Sequence, residues 1–391
     1  MSCFLPDIGI INALGAGKTA VLENLLTGDQ SGMRPYGPML TGRSGMVGRV
    51  SEPLCEVPAE LREFDCRNNQ LLVTAAEQLV DKVAALRSNL GPERIAVLIG
   101  TSTSGIAAGE KAADTLRVHG EMPVDYHYRQ QEIGTAAEFL ARYLQLDGPR
   151  YTISTACSSS AKAFAAAQRL ISAGLCDAAV VGGCDSLCDL TTNGFDALES
   201  MSTGICNPFS ANRDGINVGE GAALFLVTRD DAPIRLAGVG ESSDAYHMSA
   251  PDPSGKGADL AIRRALDNAG LRPGAVGYIN LHGTATPKND EMESRVVERV
   301  FGADTPCSST KSQIGHTLGA AGAQEIALCW LLLDSSNDGR GLPQHLWDGQ
   351  ADPGLPTIGL TGDDARWQLD SFMSNSFAFG GSNVSVIIGR S

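Results

Sequence analysis

The sequence predicts an α/β protein in which helices cover a mostly parallel sheet. Short apolar runs rich in β-branched residues alternate with longer amphipathic stretches rich in Ala and Leu. The composition combines 43% hydrophobic residues with 45 glycines and few aromatic residues, as in compact α/β enzymes. No Pro-rich, Ser-rich or like-charged stretch offers a flexible linker. We therefore expect two halves fused into one body, residues 1–232 and 233–391.

Each predicted element has its own local pattern. The strands are short runs of small and β-branched residues, which is typical of strands buried on both faces of a parallel sheet. The helices carry apolar residues at helical spacing. The order strand, helix, strand recurs after residue 233 and indicates a similar second half. The strands are expected at residues 94–100, 176–183, 221–228, 234–239, 276–281 and 384–388, and the helices at residues 70–86 and 258–268.

Charge and composition argue against several classes of protein. Lys plus Arg number 30 against 45 Asp plus Glu, a formal charge of −15, which argues against binding to nucleic acid or anionic membranes. The first residues lack the basic region of a secretory signal, and no apolar run is long enough to span a bilayer. We therefore expect a soluble cytoplasmic protein without membrane insertion. The cysteines lie at irregular spacings, a pattern that predicts no metal site.

Cys157 lies where a short β-branched run meets a helix rich in Ala and Ser, which Gly174 ends. This pattern places the thiol at a helix N-terminus, where free N–H groups and the helix dipole favour the thiolate. Small residues in the first turns of that helix predict close packing against a neighbouring element. A buried structural cysteine has the same local pattern, so this segment alone leaves both interpretations open.

Two histidines in the second half lie in polar loops. His282 ends a predicted strand, and Asp290 with Glu293 resembles a capping box for the following helix. Lys311 and His316 precede a helix crowded with Gly and Ala, which indicates that a neighbour needs its backbone close. Enzymes built on parallel sheets keep their reactive groups in such loops. Each histidine taken alone is compatible with a structural role.

The segment before the last predicted strand contains Phe377, Phe379 and two successive glycines. Such a backbone can present N–H donors to an anion, although a simple turn has the same composition. Together the four segments resemble the β-ketoacyl-acyl-carrier-protein synthases, type I/II condensing enzymes of the thiolase-like superfamily. The resemblance runs nearly end to end and includes residues 207–221 and 242–248.

The resemblance implies a five-layered α-β-α-β-α core made of two similar halves, usually in a dimer. The first half would carry the nucleophilic Cys157, and the second would carry both catalytic histidines. It also implies that the protein holds no cofactor and no metal, because an acyl carrier protein delivers the substrates on phosphopantetheine. The reaction would be the decarboxylative Claisen condensation of malonyl-carrier protein with an acyl group in fatty-acid, polyene or polyketide chain elongation.

The resemblance also implies residue roles. Cys157 would carry the acyl group as a thioester, and His282 and His316 would stabilise the enolate left by decarboxylation. The backbone N–H groups of Cys157 and Phe379 would hold the tetrahedral oxyanion. Lys311 with Glu293 would form a charged pair that keeps the histidines oriented. The substrate-binding residues on the pantetheine arm and along the acyl pocket would be Thr284, Thr286, Phe195 and Phe377.

Some positions depart from the family pattern. Ala378 stands where the family often has Gly, so the loop around it is expected to move less freely. Residues 288–289 replace a Gly-containing pair, with Asn expected in a left-handed turn. An acidic carrier protein needs basic residues, and only Arg62 and Arg67 fall near a plausible patch. Unexpectedly acidic residues near Phe195 are Asp196 and Glu199.

These features are similar to ketosynthases of specialised polyene pathways, such as those of aryl polyene pigments. The partner would then be a chain-length-factor-like subunit in a heterodimer, and otherwise a second copy in a homodimer. If the chain were itself the non-catalytic subunit, it would not need its Cys and two His. A thiolase would need a second Cys near the C-terminus, but the last is Cys329, and type III-like enzymes would have Asn in place of His316. A hydrolase remains open only if Cys157 is dispensable.

Overall fold

A 12-stranded mixed sheet organises the computed structural model, which describes residues 3–337 and 339–391. The strands are β1 (Cys3–Asn12), β2 (Gly15–Ala16), β3 (Met33–Tyr36), β4 (Gly45–Gly48), β5 (Ile95–Gly100), β6 (Arg150–Ile153), β7 (Ala178–Asp185), β8 (Val218–Gly219), β9 (Gly221–Thr228), β10 (Ile234–Ser243), β11 (Tyr278–Asn280), β12 (Pro306–Ser308), β13 (Gly359–Leu360), β14 (Ser371–Phe377) and β15 (Ser382–Arg390). The strands β3, β4 and β8 form a separate small sheet.

The helices connect and cover these strands. The α-helices are α1 (Lys18–Leu26), α2 (Arg67–Ala76), α3 (Val80–Leu90), α4 (Ile106–His119), α5 (Thr135–Leu144), α6 (Ser159–Ser172), α7 (Asp189–Ala197), α8 (Lys256–Ala269), α9 (Pro287–Phe301), α10 (Lys311–Ile314) and α11 (Ala321–Leu333). Short 3-10 turns occur at Ala59–Phe64, Pro92–Arg94, Tyr128–Gln130, Pro273–Ala275, Leu318–Ala320 and Phe379–Gly381. No helix within the two described ranges is long and apolar enough to cross a membrane.

The same strand order occurs twice along the chain. The first half has the spatial order β6-β5-β7-β9-β1 and the second has β12-β11-β14-β15-β10. Numbered by their sequence within each half, both orders read 3-2-4-5-1. In each half the first three strands of this order are parallel, and the last two pairs are antiparallel. The two sheets join where β1 pairs with β10.

The helices complete five layers. In the middle layer α6 packs against α11, and both helices contact strands of both halves. The helices α2 and α5 pack on strands of the first half, and α8 packs on β10 and β15 of the second half. The five-layer arrangement expected from the resemblance is therefore confirmed.

The middle layer is buried and tightly packed. Every residue of α11 is buried, and each fully buried Leu or Ile side chain contributes about 1.5–3 kcal/mol to folding. A Cβ atom at Gly100 would lie 2.2 Å from the backbone nitrogen of Ser160, and one at Gly322 would lie 2.7 Å from the Cβ atom of Ala161. The small residues after Cys157 and after His316 thus allow close approach, as predicted.

The predicted helix at residues 70–86 is two helices, α2 and α3. The chain bends between them where the Gln78 side chain bonds both the N–H and the carbonyl oxygen of Ile10, each at 3.0 Å. Helix α2 is almost wholly buried, whereas Val83 is the one buried residue of α3. The two segments therefore lie in different environments, which an apolar period alone does not reveal.

Candidate active site

The turn that carries Cys157 connects β6 to α6. Ala156 adopts the left-handed conformation with φ 53°, which is uncommon for a residue other than Gly. The Ser159 hydroxyl accepts the N–H of Thr155 at 2.8 Å and donates to the carbonyl oxygen of Ala156 at 2.5 Å. These local bonds fix a sharp strand-to-helix turn, and the thiol lies buried at the start of α6.

The three predicted reactive side chains converge. A sulfur or ring nitrogen atom of Cys157, His282 and His316 each lies within 4.8 Å of the others. The Nε2 atom of His316 is 2.9 Å from the Cys157 sulfur, and the two imidazole rings meet edge to face with centroids 5.3 Å apart. Both histidines are at most 2% exposed. One buried site therefore combines a thiol from the first half with two imidazoles from the second.

Burial controls the charge states of this site. It raises the pKa of the Cys157 thiol to about 11, although Lys311 and the backbone N–H groups of Phe379 and Cys157 act to lower it. Burial, with the nearby Lys311 ammonium, also lowers the pKa of His282 and His316 well below the usual value. Desolvation thus exceeds the helix-terminus effect that favours the thiolate. Burial favours a neutral thiol and two neutral imidazoles in the resting site.

Lys311 forms a buried ion pair with Glu325 on α11, and each side chain is 1% exposed. The prediction that Glu293 is the partner of Lys311 is wrong. Burial raises the pKa of Glu325 to about 7, while Lys311 acts to lower it. Sequence reasoning missed Glu325, although it is the one charged residue in the apolar helix α11. A charge in such a helix is itself a signal, because a buried carboxylate needs a partner.

Glu293 instead supports the backbone at His282. Its carboxylate accepts the N–H of His282 at 2.8 Å and that of Gly283 at 2.7 Å. Burial raises the pKa of Glu293 to about 7, against the lowering effect of these two hydrogen bonds. Glu293 therefore acts on the position of the imidazole rather than on the charge of the lysine.

The predicted capping box around Asp290 does not form. Helix α9 begins earlier, at Pro287 with Thr286 as its N-cap, because Pro is favoured in the first helical turn. Asn289 therefore lies within the helix, and the predicted left-handed turn is wrong. The buried Asp290 carboxylate accepts the N–H of Phe209 at 2.7 Å, and burial raises its pKa to about 6.

A cavity of about 260 Å³ opens above the reactive side chains. The rings of Phe195 and Phe379 meet in its wall with centroids 5.7 Å apart. The Thr284 and Thr286 hydroxyl oxygens are 2.9 Å apart, and the Phe377 ring lies 6.2 Å from that of His282. All four predicted substrate-binding residues line this cavity, namely Thr284, Thr286, Phe195 and Phe377.

Two family models match the chain and follow each other along it. The model of the β-ketoacyl synthase N-terminal domain matches residues 56–232, and that of the C-terminal domain matches residues 234–337. The chain belongs to the β-ketoacyl synthase family. It is a transferase that forms carbon–carbon bonds between acyl groups.

Relatives of this synthase are similar over their full length. The 3-oxoacyl-(acyl-carrier-protein) synthase 2 of Coxiella burnetii is 30% identical, with 99% of this chain and 98% of that protein covered. The protein of the same name from Rhizobium meliloti is 32% identical, with 99% and 98% covered. The ketosynthase ApeO of Xenorhabdus doucetiae, solved in complex with its chain length factor ApeC, is 47% identical with a TM-score of 0.96, covering 100% of this chain and 98% of that one. The predicted thiolase-like fold is confirmed.

The loop after β14 in this synthase carries two glycines with positive φ, Gly380 at 79° and Gly381 at 76°. Ala378 has φ −92° and ψ 154°, an extended conformation open to any residue, so Ala causes no strain there. The N–H of Gly380 donates to the carbonyl oxygen of Met248 at 2.8 Å. The loop that brings the Phe379 N–H to the thiol is thus tied to a second, exposed loop.

The charged residues considered for docking are mostly engaged within the synthase. Arg67 pairs with the buried Glu220 at 2.6 Å, and Asp196 accepts a hydrogen bond from the Arg43 guanidinium at 2.8 Å. The acidity beside Phe195 is therefore partly neutralised. Within the described ranges Arg62 is exposed and makes no ion pair, so the expected patch is reduced to one free cation.

Proposed function

We propose that this β-ketoacyl synthase condenses an acyl group held on Cys157 with malonyl units delivered on acyl carrier protein. One observation carries the proposal: Nε2 of His316 lies 2.9 Å from a thiol sulfur in a buried site that His282 also enters. A non-catalytic chain length factor would have no use for this arrangement. The names of the relatives, which are synthases of 3-oxoacyl-(acyl-carrier-protein), support the same reaction.

The first step is acylation of Cys157. The sulfur attacks the thioester carbonyl of an acyl-carrier protein while its proton moves to Nε2 of His316. The backbone N–H groups of Cys157 and Phe379, both directed at the sulfur, stabilise the oxyanion that forms. The carrier thiolate leaves and takes up the proton, so His316 ends neutral. Covalent capture divides one difficult reaction into two easier ones.

The second step is decarboxylation of the malonyl thioester. Carbon dioxide leaves, and negative charge develops on the thioester oxygen as an enolate. Once Cys157 is acylated, the His316 ring carries its one proton on Nε2, which is the tautomer that donates into the site. His282 and His316 then each supply one N–H to this oxygen. A single donor of this kind contributes about 10²–10³ in rate. The enolate carbon then attacks the Cys157 thioester and the carbon–sulfur bond breaks. Cys157 leaves as a thiolate and takes up one proton from water to restore the thiol.

A chain-length-factor-like subunit is the proposed partner. The support is the 47% identity to a ketosynthase solved in complex with its chain length factor. Large apolar side chains are also exposed at the end of α4 and in the loop after it, and exposed apolar patches are typical of interfaces. The exposed residues are Leu116, Val118, Met122 and Val124. The same identity supports a specialised polyene pathway.

We propose the division of the chain at residues 232 and 233 on the strength of the repeated strand order. The first unit ends after β9, and the second begins with β10. Cys157 belongs to the first unit, and His282 and His316 belong to the second. Neither unit alone would therefore assemble the site.

The function is tested by condensation with the purified synthase, its proposed partner subunit, an acyl-carrier protein and malonyl-carrier protein. We expect 3-oxoacyl-carrier protein by mass spectrometry. Cys157→Ala should abolish this product with an unchanged circular dichroism spectrum, because Ala is sterically mild at a helix start. Retained condensation in Cys157→Ala would overturn the proposal.

A further inference from the structure

Lys288 is the one permanently charged side chain that lines the cavity above Cys157, judged over the described residues. It lies in the first turn of α9, two positions after Thr286. It also lines a second cavity of about 340 Å³ on the outer side. Pro251 is shared by both cavities in the same way. Lys288 therefore stands where the reactive cavity continues outward.

The Lys288 ammonium is exposed and available. Across residues 3–337 and 339–391, no carboxylate lies within ion-pair distance of it. The acidic residue that shares the outer cavity is Glu291, and its carboxylate pairs with Arg295 at 2.8 Å. Lys288 thus makes no ion pair within the described residues, whereas Lys311 pairs with Glu325 and Arg67 pairs with Glu220.

The charge balance of the whole chain makes this position significant. A protein with a formal charge of −15 repels anionic substrates unless a cation lies near the entrance. The substrates under the proposed function are carried on a phosphopantetheine arm, which has a thioester at its inner end and a phosphodiester at its outer end. With the thioester at Cys157 and the arm passing Thr284 and Thr286, the phosphodiester lies toward the rim.

We propose that the Lys288 ammonium binds the phosphodiester of the incoming phosphopantetheine arm and thereby raises the affinity for carrier-bound thioesters. This inference rests on the proposed function and deepens it. Acidic side chains of the carrier protein offer the same anionic chemistry, so the test must separate these two sources. Lys288 is a specificity-determining residue in this account and takes no part in bond making.

The test uses three malonyl thioesters that differ only in their outer end: malonyl-carrier protein, malonyl-phosphopantetheine and malonyl-pantetheine. We measure KM and kcat for condensation with acylated synthase in wild type, Lys288→Ala, Lys288→Glu and Lys288→Arg. Loss of an exposed ion pair corresponds to a rise in KM of about 1.5- to 5-fold. We expect this rise in Lys288→Ala for the two phosphate-bearing substrates, and a larger one in Lys288→Glu.

The other variants and substrates show whether the rise in KM comes from the contact between Lys288 and phosphate. Lys288→Arg should keep KM near the wild-type value, and malonyl-pantetheine should show the same KM in all variants. Added salt should reduce the difference between wild type and Lys288→Glu. The control Arg272→Glu makes the same charge change on an exposed residue that lines neither cavity, and it should leave every KM unchanged.

Three outcomes would overturn the inference. A rise in KM confined to malonyl-carrier protein would assign the contact to the carrier's side chains. An equal rise for malonyl-pantetheine would show an effect of shape rather than phosphate. An equal rise in KM in Arg272→Glu would show that the net charge of the protein, rather than the position of Lys288, sets the affinity. In each case kcat with malonyl-pantetheine and acylation of Cys157 would persist, so the proposed function would stand.

Discussion

At Cys157 the position of one proton decides the chemistry. Burial raises the thiol pKa to about 11, so the neutral thiol dominates at pH 7. His316, itself kept neutral by burial and Lys311, is placed to take that proton. The nucleophile is therefore activated during attack rather than stored as an anion.

Alkylation of Cys157 by iodoacetamide should report this raised pKa. Only the thiolate reacts with iodoacetamide, and a raised pKa shifts ionisation of the thiol to higher pH. The alkylation rate should therefore continue to increase with pH beyond pH 9. Peptide mass spectrometry measures the rate at Cys157 separately from the other cysteines. A rate that levels off below pH 8 would show a stored thiolate and contradict this account.

His282 and His316 should differ in their mutant phenotypes. Only His316 touches the thiol, at 2.9 Å, so His282→Ala should leave acylation of Cys157 intact. The same substitution should slow decarboxylation of malonyl-carrier protein by about 10²–10³, because one enolate donor is lost. Adduct mass and carbon dioxide release measure the two steps separately. If His282→Ala lost both acylation of Cys157 and decarboxylation, the division of roles would be refuted.

Residue identities were more predictable than residue pairs. Local patterns singled out Cys157 and both histidines as candidates, and the resemblance assigned their roles. Cys157 and His282 each lie just after a strand, and His316 lies in a polar loop before a helix. The partner of Lys311 was assigned to Glu293, but the structure gives Glu325. That pair depends on how α10 and α11 pack, and no local pattern encodes this. The raised thiol pKa likewise depends on burial by distant segments.

At the scale of elements, α7 is a short helix held by an adjacent strap, residues 36–43. The Tyr36 hydroxyl donates to Asp189, the Leu40 N–H donates to Asn193 at 2.7 Å, and Thr41 and Arg43 bond to Asp196. The residues of α7 that bond to this strap, Asp189, Asn193 and Asp196, are spaced so that they lie on one side of the helix. A nine-residue helix is marginal without such support. The strap therefore stabilises the helix that carries Phe195.

Arg43→Ala should loosen α7 and change the preference for acyl chains. Phe195 lines the cavity, so its position affects the acyl group more than the malonyl group. We expect an altered distribution of product chain lengths in mass spectra, with decarboxylation of malonyl-carrier protein unchanged. Arg43→Lys, which keeps the charge, should restore much of the wild-type distribution. An unchanged distribution in Arg43→Ala would contradict this role of the strap.

Strands were predicted better than helix boundaries. The strand at residues 221–228 matches β9, and that at residues 384–388 lies within β15, because buried β-branched runs are unambiguous. The helix at residues 70–86 is two helices, since the contact between Gln78 and Ile10 bends the chain. Helix α9 begins at Pro287, earlier than predicted. The predicted cap, Asp290, lies within the helix and accepts the N–H of Phe209 instead.

At the scale of the whole molecule, the repeated fold is what creates the site. Cys157 follows β6 in one sheet, and His282 follows β11 in the other. Because α6 and α11 pack together between these sheets, the turn with Cys157 before α6 meets the loop with His316 before α11. The recurrence of strand, helix and strand after residue 233 indicated a similar second half, and the resemblance implied the five-layered core. Sequence identity between the halves is too faint to show a repeat by itself.

The exposed apolar side chains at the end of α4 and in the loop after it should be covered in the assembled enzyme. Val118→Glu and Val124→Glu place a charge on this surface and should weaken association with the partner subunit. Analytical ultracentrifugation measures the association. Leu40→Glu is a matched control, since Leu40 is 90% exposed on the separate strap. Association unaffected by either valine substitution would place the interface elsewhere.

The central claim is most directly tested by weighing the intact protein after exposure to an acyl-carrier protein alone. We predict a mass increase of one acyl group, located on Cys157 by peptide mapping and absent in Cys157→Ala. Subsequent malonyl-carrier protein should remove the adduct and release one carbon dioxide per acyl group. An adduct on another residue, or the same adduct in Cys157→Ala, would contradict the account.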